Sequence, residues 1–519
     1  MTNASTISTA AMPSGTTSSV ARLLAARPLA TALALLAVAV LIRAVGDVDA
    51  DVAWQLWIAR QLNHGAHLYR DIVETNPPLW FWMAMPVDRL ADLIHVRSDH
   101  LLIMLISGGV ALSVSATQNL LPAMTEGRRA AILSYAALVL AAMPGMDFGQ
   151  REHIALIGAV PYAALTAARR AQQPVPTALA FAVGAGAALG FALKHYFLIV
   201  PLLLELWLLL GLGRKWRPLR PETAAIACVG ALYAAAVLLW ARDYLTNMVP
   251  MLLLAYGATG AKHLVELFQP PVIAGLATIA FLLPALRLRD EESSLGGSLT
   301  VAAVGFAGVY FLQAKGWSYH ALPLLGCAAI ALAWTVIAGG NASRFTLLAA
   351  PALLLLPFTI AAQHALREPQ SGKDIENAVK SMRAGETVAF VSADPSFGWR
   401  VIPEKGLRFV LRSNGFWMIQ AIVTNEQRGG ADPRLTQLGR RIIRETVEDF
   451  ECTPPRRIIV KRPRPRSTGE FDILAFFQRD PQFAALLSHY HPVERTSVEV
   501  FELRTPLAPS AHCPRWSPV

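Results

Sequence analysis

Long apolar runs separated by short polar stretches occupy the first two thirds of the chain. Each run covers about 16–20 residues, close to the roughly 20 that a helix needs to cross a bilayer. Eleven such runs lie at about 28–42, 101–121, 130–145, 154–168, 177–193, 197–212, 222–241, 270–286, 297–313, 321–338 and 344–362. The pattern predicts an α-helical polytopic membrane protein with about eleven transmembrane helices in a domain spanning 28–362.

One further apolar stretch, Pro77 to Val87, is too short to cross the membrane. It contains about eleven uncharged residues, and Asp88, Arg89 and Asp92 follow it directly. We therefore interpret it as a helix that lies in the membrane interface.

The distribution of basic residues supports this interpretation, because cytoplasmic loops accumulate Lys and Arg. With eleven spans and a cytoplasmic N-terminus, all the basic connections fall on the cytoplasmic side; they are Arg128/Arg129, Arg169/Arg170, Arg214 to Arg220, Arg287/Arg289 and Arg344. A span at Pro77 would move them all outside. The same count places a first outer loop at 43–100 and everything after the last span on the outer face.

The two ends of the chain differ in pattern from the apolar core. Residues 1–27 are rich in Ser and Thr, a composition that predicts a disordered cytoplasmic N-terminus. In residues 363–519, "ETVAFVSA", "RRIIVKRP" and "SVEVFEL" predict strands and "DPQFAALLSHYH" predicts a helix. The pattern predicts a C-terminal extracytoplasmic (periplasmic) α/β domain.

Composition agrees with a membrane protein. The chain is 54% hydrophobic and 16% charged, whereas soluble domains average about 25% charged residues. The net charge of +10 is explained by cytoplasmic loops, and no basic-aromatic module indicates nucleic acid binding. Of the four cysteines, Cys452 and Cys513 lie outside the apolar runs. An oxidising compartment permits a disulfide between them, although the sequence alone leaves their distance open.

Polar residues at the outer ends of the runs are the candidate functional residues. They include the carboxylates Asp49, Asp51, Asp147 and Glu152, the basic residues Arg70, Arg151, His153, Lys194 and Lys315, and Tyr319. Taken singly, each could be a solvated loop residue or a lysine that snorkels to the interface. Taken together, ionisable groups at several span ends on one face indicate function.

Carboxylates beside cations suit a specific chemistry. A carboxylate can act as general base toward a hydroxyl, and cations can hold a phosphate leaving group. Nucleotide donors are cytoplasmic, so an enzyme acting on the outer face would need a sugar carried by a polyprenyl phosphate. The residues thus favour transfer of a sugar from such a lipid to an acceptor hydroxyl.

Four motifs in order resemble those of GT-C glycosyltransferases of family 39, which include protein O-mannosyltransferases and the lipid A aminoarabinose transferase. They are an Asp after the first span (Asp51) with "HLYRD" and "NPPL", the acidic loop "DFGQREH", the lysine in "GFALKHYFLIVP", and "KGWSYHALPLL". Val52 and Asn76 depart from the family pattern, which has Glu after the Asp and often a basic residue before Pro-Pro.

The resemblance implies inverting transfer in the membrane domain. Asp51 or Asp49 would be the general base, with the choice between them open. Asp147, Glu152 and His153 would position the acceptor or the base. The phosphate of the lipid would be bound by Lys194, Lys315, Tyr319, Arg151 and Arg70. No cofactor is expected, with a divalent metal as the lesser alternative.

Three other functions are compatible with the sequence. A transporter or flippase of lipid-linked saccharides would be expected to show internal repeats and polar midplane helices, whereas these runs are smooth. A glycan ligase would share the fold but need a wider cavity. A catalytically silent scaffold is the third. The preferred hypothesis is a multi-pass glycosyltransferase of the inner (plasma) membrane that acts on a cell-envelope glycan, lipid or protein.

Overall fold

The computed structural model describes residues 26–43, 48–259, 264–283, 286, 291–338, 370–430, 432–463, 471–510, 513 and 518. The eleventh apolar run, 344–362, and nearly all of the predicted N-terminal segment 1–27 lie outside these residues. Up to residue 338 the described chain is almost entirely helical, as the apolar runs predict.

The helices of this part are α1 (Pro28–Arg43), α2 (Ala50–Asn63), α3 (Leu79–Leu93), α4 (Ser98–Gln118), α5 (Glu126–Ala141), α6 (Arg151–Arg170), α7 (Thr177–Ala192), α8 (Ile199–Leu212), α9 (Pro221–Trp240), α10 (Val249–Thr259), α11 (Leu264–Leu267), α12 (Pro270–Leu282), α13 (Glu291–Gln313) and α14 (Ser318–Ala338). Ten of the eleven predicted runs coincide with one of these helices. Short 3₁₀ turns cover Gly145–Asp147, His195–Leu198 and Gly213–Lys215, and a π-helical turn covers Tyr244–Met248.

Not every apolar helix is long enough to cross a bilayer. Five described segments are long and apolar enough to cross a membrane. They are Ser98–Gln118, His195–Lys215, Pro221–Trp240, Ser294–Gln313 and Ser318–Ile337. Four shorter apolar helices are Pro28–Arg43, Thr177–Ala192, Tyr244–Ala258 and Pro270–Leu282. The structure is thus that of a protein with several candidate spans, and the number eleven stays a prediction.

The stretch interpreted as an interface helix forms α3. This helix runs on past the charged residues to Leu93 and has Pro86 in its interior. Asp88 is buried within it, and its carboxylate accepts hydrogen bonds from Asn63 Nδ2 at 2.9 Å and Ser98 Oγ at 3.0 Å. A buried carboxylate needs such partners, so the charges do not end the helix as the sequence pattern suggests.

Helices α6 and α7 pack with their backbones close together. A Cβ atom placed on Gly190 would lie 3.0 Å from the Cα of Ala155, and one on Gly158 would lie 3.0 Å from the Cα of Ala187. Small residues permit such close packing between membrane helices. The contact brings the first turn of α6 close to Lys194, two residues beyond the end of α7.

The C-terminal region, defined here as described residues 370–518, combines a sheet with helices. Its strands are β1 (Thr387–Val391), β2 (Arg408–Phe409), β3 (Arg457–Lys461), β4 (Tyr490–Arg495) and β5 (Val498–Leu503). Its helices are α15 (Gln370–Val379), α16 (Val401–Lys405), α17 (Ile419–Gln427), α18 (Pro433–Cys452), α19 (Ile473–Phe477) and α20 (Pro481–Leu487). The strand order is β2-β1-β3-β5-β4, with β1 parallel to β2 and β3, and β5 antiparallel to β3 and β4.

Three of the predicted elements in this region are confirmed as β1, β3 and β5, whose central residues are buried. The predicted helix over "DPQFAALLSHYH" is confirmed only as far as Leu487, because Tyr490 begins β4. The disulfide that the sequence permits is present: Cys452, the last residue of α18, is bonded to Cys513, with a Cα–Cα distance of 5.3 Å.

Candidate functional site

Two aspartates lie at the start of α2. Asp49 is the residue before the helix, and its carboxylate accepts a hydrogen bond from the backbone N–H of Asp51 at 2.8 Å. Such a cap satisfies one of the free N–H groups at the helix start. The side-chain amide of Gln150 donates to Asp49 Oδ1 at 2.7 Å and contacts Asp51 Oδ2 at 3.4 Å. One amide therefore joins the two carboxylates that the sequence singles out as alternative bases.

The surroundings of Asp49 and of Asp147 favour proton binding. Burial, followed by the neighbouring charge of Asp51, raises the pKa of Asp49 to about 7. Burial, together with Asp49, Glu152 and Asp51, holds the pKa of Asp147 well above its usual range. Asp147 therefore lies within electrostatic reach of the pair, as the resemblance implies.

A second group of polar side chains is centred on Lys194. Its ammonium lies 2.6 Å from Glu152 Oε1, 3.0 Å from Gln313 Oε1 and 3.3 Å from His320 Nε2. Lys194, Glu152 and His320 are all buried. The lysine is therefore paired and does not snorkel to the interface.

Arg151, the residue before Glu152, is buried with 3% exposure. Its Nε and Nη1 atoms have no hydrogen-bond partner among the described residues. Glu152, Asp51 and Glu74 are the carboxylates that act electrostatically on its guanidinium. Buried polar groups normally have partners, so unpaired guanidinium nitrogens beside carboxylates indicate a place where an anion or water is bound.

Two more unpaired atoms belong to the Lys194 group. Glu152 Oε2 and His320 Nδ1 are buried without a hydrogen-bond partner in the described chain, as is Gln150 Oε1. Because Nε2 of His320 faces the lysine ammonium, Nδ1 is assigned the ring proton. The group thus offers both donors and an acceptor to a polar ligand.

Tyr319 and Lys315, both predicted to bind phosphate, have different surroundings. The ring of Tyr319 is 5.7 Å from the Lys194 ammonium and packs against His320, so Tyr319 belongs to the Lys194 group. The ammonium of Lys315 lies over the ring of Tyr256, 3.2 Å from its centroid. Burial lowers the pKa of Lys315 to about 8. Lys315 acts electrostatically on His320 but is held against an aromatic ring.

Two predicted site residues are engaged elsewhere. The guanidinium of Arg70 is exposed and pairs with Asp243 at 2.5 Å. The ring of His153 is buried, with Nδ1 accepting from the Gly149 N–H at 3.1 Å and Nε2 lying 2.7 Å from the Leu140 carbonyl. Nδ1 of His153 therefore stabilises the turn before α6, and Nε2 joins α6 to the end of α5, so both ring nitrogens are engaged away from the carboxylate pair.

The remaining motif residues lie in the loop before α3, where hydrogen bonds between neighbouring residues fix the backbone. The hydroxyl of Tyr69 donates to the carbonyl of Asn76 at 2.6 Å. Glu74 Oε1 accepts from the backbone N–H groups of Thr75 and Asn76, both at 2.7 Å, and Glu74 Oε2 accepts from Trp54 Nε1 at 2.5 Å. Glu74 therefore holds the loop closed.

Sequence reasoning missed three polar residues of the site: Gln150, Gln313 and His320. The only signal for Gln150 is its place directly before Arg151 at the start of a predicted span. Among the residues that the structure describes, no three His, Cys, Asp or Glu side chains are grouped so that they could hold a metal ion. The expectation of a metal-independent reaction stays a prediction.

Comparison with known proteins identifies the fold. No family model matches the sequence, and no curated protein does. Among solved structures, the chain is similar to the crystal structure of ArnT from Cupriavidus metallidurans bound to undecaprenyl phosphate, with 14% identity, a TM-score of 0.50, and coverage of 93% of this chain and 98% of that chain. The chain has a GT-C fold.

The GT-C fold agrees with the architecture predicted from the four motifs. A second solved structure is the archaeal oligosaccharyltransferase AglB from Archaeoglobus fulgidus, in complex with an inhibitory peptide and a dolichol-phosphate. It has 11% identity and a TM-score of 0.42, and the match covers 94% of this chain and 75% of that chain.

Proposed function

We propose that this protein is a membrane glycosyltransferase that moves a sugar from a polyprenyl-phosphate donor to an acceptor hydroxyl. The observation that carries the proposal is the buried guanidinium of Arg151, which has two unpaired nitrogens and lies within electrostatic reach of Asp51, the residue that Gln150 joins to Asp49. A basic group would hold the phosphate that leaves, and a carboxylate would take the proton that the acceptor loses.

The reaction has one bond-forming and one bond-breaking event. The acceptor oxygen attacks the anomeric carbon and forms the new glycosidic bond, while the bond from that carbon to the phosphate oxygen breaks. The proton of the acceptor hydroxyl goes to the carboxylate, and the bonding electrons leave with the lipid phosphate. Attack from the side opposite the phosphate inverts the anomeric centre.

The surroundings of the two aspartates favour Asp51 as the base. Asp49 caps α2 and also accepts from Gln150 at 2.7 Å, and both hydrogen bonds end on Oδ1, so that oxygen already has two donors. Within the described residues, the Asp51 carboxylate has only the longer Gln150 contact at 3.4 Å. A base needs a free lone pair within hydrogen-bond reach of the proton it accepts.

Arg151 and the Lys194 group would bind the donor phosphate. Charge-assisted hydrogen bonds to phosphate are stronger than neutral ones. Two guanidinium nitrogens of Arg151 have no partner among the described residues and could donate such bonds. Lys194 is paired with Glu152, so an arriving phosphate would compete with that carboxylate. Tyr319, beside Lys194, would complete the phosphate site. Arg70 and Lys315 have other partners and would contribute at longer range.

The proposal includes location and partners. The site would open toward the outer face of an inner (plasma) membrane, and the C-terminal region would be periplasmic or extracytoplasmic. The donor would be a polyprenyl-phosphate sugar in the same membrane. The acceptor would be a cell-envelope glycan, lipid or protein.

The test uses purified protein in lipid with a panel of polyprenyl-phosphate sugars and acceptor hydroxyls. Release of the sugar and its transfer are scored separately. We expect Asp51→Asn to lower turnover by roughly 10²–10⁴-fold, the range for a positioned acid or base, with donor binding kept. Asp49→Asn should be milder, and the opposite ranking would assign the base to Asp49.

Asp71→Asn is the matched control, because Asp71 is in the same loop and accepts from the His67 N–H at 2.7 Å. It should keep nearly full turnover. A transporter would move the intact lipid-linked sugar across the bilayer without cleaving it. Finding only intact donor across the whole panel would refute the glycosyltransferase proposal.

A further inference from the structure

Helix α2, which carries Asp51 and is capped by Asp49, packs directly against the C-terminal region. Trp54 and Trp57 of α2 stack with centroids 4.9 Å apart. Trp399 lies 4.8 Å from Trp54 and 5.8 Å from Trp57, and Phe409 of β2 lies 4.8 Å from Trp399. These four rings form the α2 aromatic cluster.

The cluster lies close to the aspartates along the helix. Trp54 follows Asp51 by three residues, so the two are neighbours on the helix surface. Trp54 and Trp399 are almost fully buried. The indole N–H of Trp54 donates to Glu74, which fixes the orientation of that ring. Trp399 therefore touches α2 one turn away from the proposed base.

A second contact joins the loop before α3 to the C-terminal region. The backbone N–H of Val73 donates to the carbonyl of Arg412 at 2.7 Å. Arg412 is itself fixed within the C-terminal region, because its own N–H and its Nε donate to Asp449 at 2.9 and 2.8 Å. Since Val73 precedes Glu74, this bond anchors the same loop that orients Trp54.

A third contact reaches the other side of the site. Tyr256 of α10 stacks on Trp417 of the C-terminal region with a centroid distance of 4.7 Å. The same Tyr256 ring also makes a cation–π contact with the Lys315 ammonium. The C-terminal region is thus joined to α2, to the loop before α3 and, through Tyr256, to Lys315.

We propose that the C-terminal region sets the position of α2 and, through it, of Asp51, with Trp399 as the main positioning residue; this inference rests on the proposed function. A helix of 14 residues is marginal by itself, so its placement depends on packing. A displacement of about 1 Å at a reacting group can cost on the order of 10²-fold in rate. Trp399 acts through α2 and does not touch the reacting atoms.

The test compares three variants in lipid nanodiscs. Trp399→Ala removes the ring and should lower kcat by on the order of 10²-fold, with the KM for the lipid donor unchanged. Trp399→Phe keeps an aromatic ring and should recover most of the rate. Phe483→Leu is the control, because Phe483 is buried within the C-terminal region, 5.1 Å from Phe477; it should lower the unfolding temperature but leave kcat nearly unchanged.

Hydrogen–deuterium exchange gives a readout that needs no activity. In Trp399→Ala, amides of α2 should exchange faster, while those of α6 should not change. The inference is wrong if α2 exchange is unaffected, or if Phe483→Leu lowers kcat as much as Trp399→Ala does. If the wild-type protein transfers no sugar, the proposed function fails, but the exchange result still decides whether the C-terminal region holds α2.

Discussion

The charged groups at the two ends of helix α6 differ in how completely their polar atoms are hydrogen-bonded. At the C-terminal end, Arg169 donates to both oxygens of Glu222 at 2.9 and 3.0 Å, and Arg220 donates to the same carboxylate at 2.8 Å. Arg220 also pairs with Glu205, which accepts from Trp216 Nε1 at 3.1 Å. None of the buried side-chain atoms that lack a partner in the described structure belongs to these five residues.

At the N-terminal end, the charged groups are more deeply buried and incompletely paired. Arg151 and Glu152 are 3% and 0% exposed, whereas the side chains of Arg169, Arg220 and Glu205 are 20%, 12% and 21% exposed. Unpaired atoms are present on Arg151, Glu152, Gln150 and His320. The two ends therefore differ both in burial and in whether their buried polar atoms have hydrogen-bond partners.

This difference separates a structural network from a candidate binding site. A fully satisfied buried network stabilises one arrangement of helices. Unsatisfied buried atoms cost free energy in the fold, and such groups call for a functional explanation. Both ends carry a network of charged side chains, and the unpaired buried atoms single out the end with Arg151.

The largest effects that test this difference are expected when one arginine is replaced at each end of α6. Arg151→Met should lower the affinity for the lipid donor by roughly 10–100-fold, since a charge-assisted hydrogen bond contributes about 1.5–3 kcal/mol. Its free energy of unfolding should not decrease, because a buried guanidinium with unpaired nitrogens is lost. The measurements are donor binding and unfolding in the same lipid.

Arg220→Met is the matched variant at the other end. It leaves the buried Glu222 and the half-buried Glu205 with fewer partners. Breaking a fully buried ion pair costs about 3–5 kcal/mol, so this partly exposed network should lose stability by less than that. The folded fraction of this variant should keep the wild-type KM and kcat. A loss of stability in Arg151→Met with intact donor binding would show that both ends are structural.

A smaller effect is expected at the Lys194–Glu152 pair. Lys194→Gln should raise the KM for the lipid donor more than that for the acceptor, and should also destabilise the protein, because Glu152 is left as a buried charge. Adding Glu152→Gln should restore the unfolding temperature but not the donor KM. If the double variant recovers both, the pair is purely structural.

Local patterns in the sequence account for most of the fold. Ten of the eleven helices that the apolar runs predict coincide with described helices, because hydrophobicity is a property of each segment. The strands β1, β3 and β5 are predicted for the same reason. Strand β2 has only two residues, and it exists because Thr387 and Val388 of β1 pair with Arg408 and Phe409. No pattern within so short a segment predicts that pairing.

The site could be predicted only in part, because side-chain partners depend on packing between distant segments. The motifs identify Lys194 and Glu152, but their contact is set by the close approach of α6 and α7. The sequence suggests that Arg70 binds phosphate, yet Asp243, 173 positions further on, is its partner. Lys315 is likewise turned to Tyr256.

The smallest predicted effect concerns the carboxylate pair at the Arg151 end. Burial and the charge of Asp51 raise the pKa of Asp49 to about 7, from an ordinary value near 3.8. Between these two pH values the folded protein holds a proton on Asp49 that the unfolded chain has released. The contribution of Asp49 to stability is therefore complete below about pH 4, decreases as the pH rises, and levels off above about pH 7.

Asp49→Asn should remove this dependence while keeping the helix cap, because Asn caps helices as well as Asp does. The variant should gain stability relative to wild type as the pH rises from 4 to 7, with a constant difference at higher pH. Unfolding temperatures of both proteins, measured in the same lipid across this range, test the expectation. A difference that does not vary with pH would mean that Asp49 ionises normally, and that its carboxylate competes with Asp51 for the proton of the acceptor.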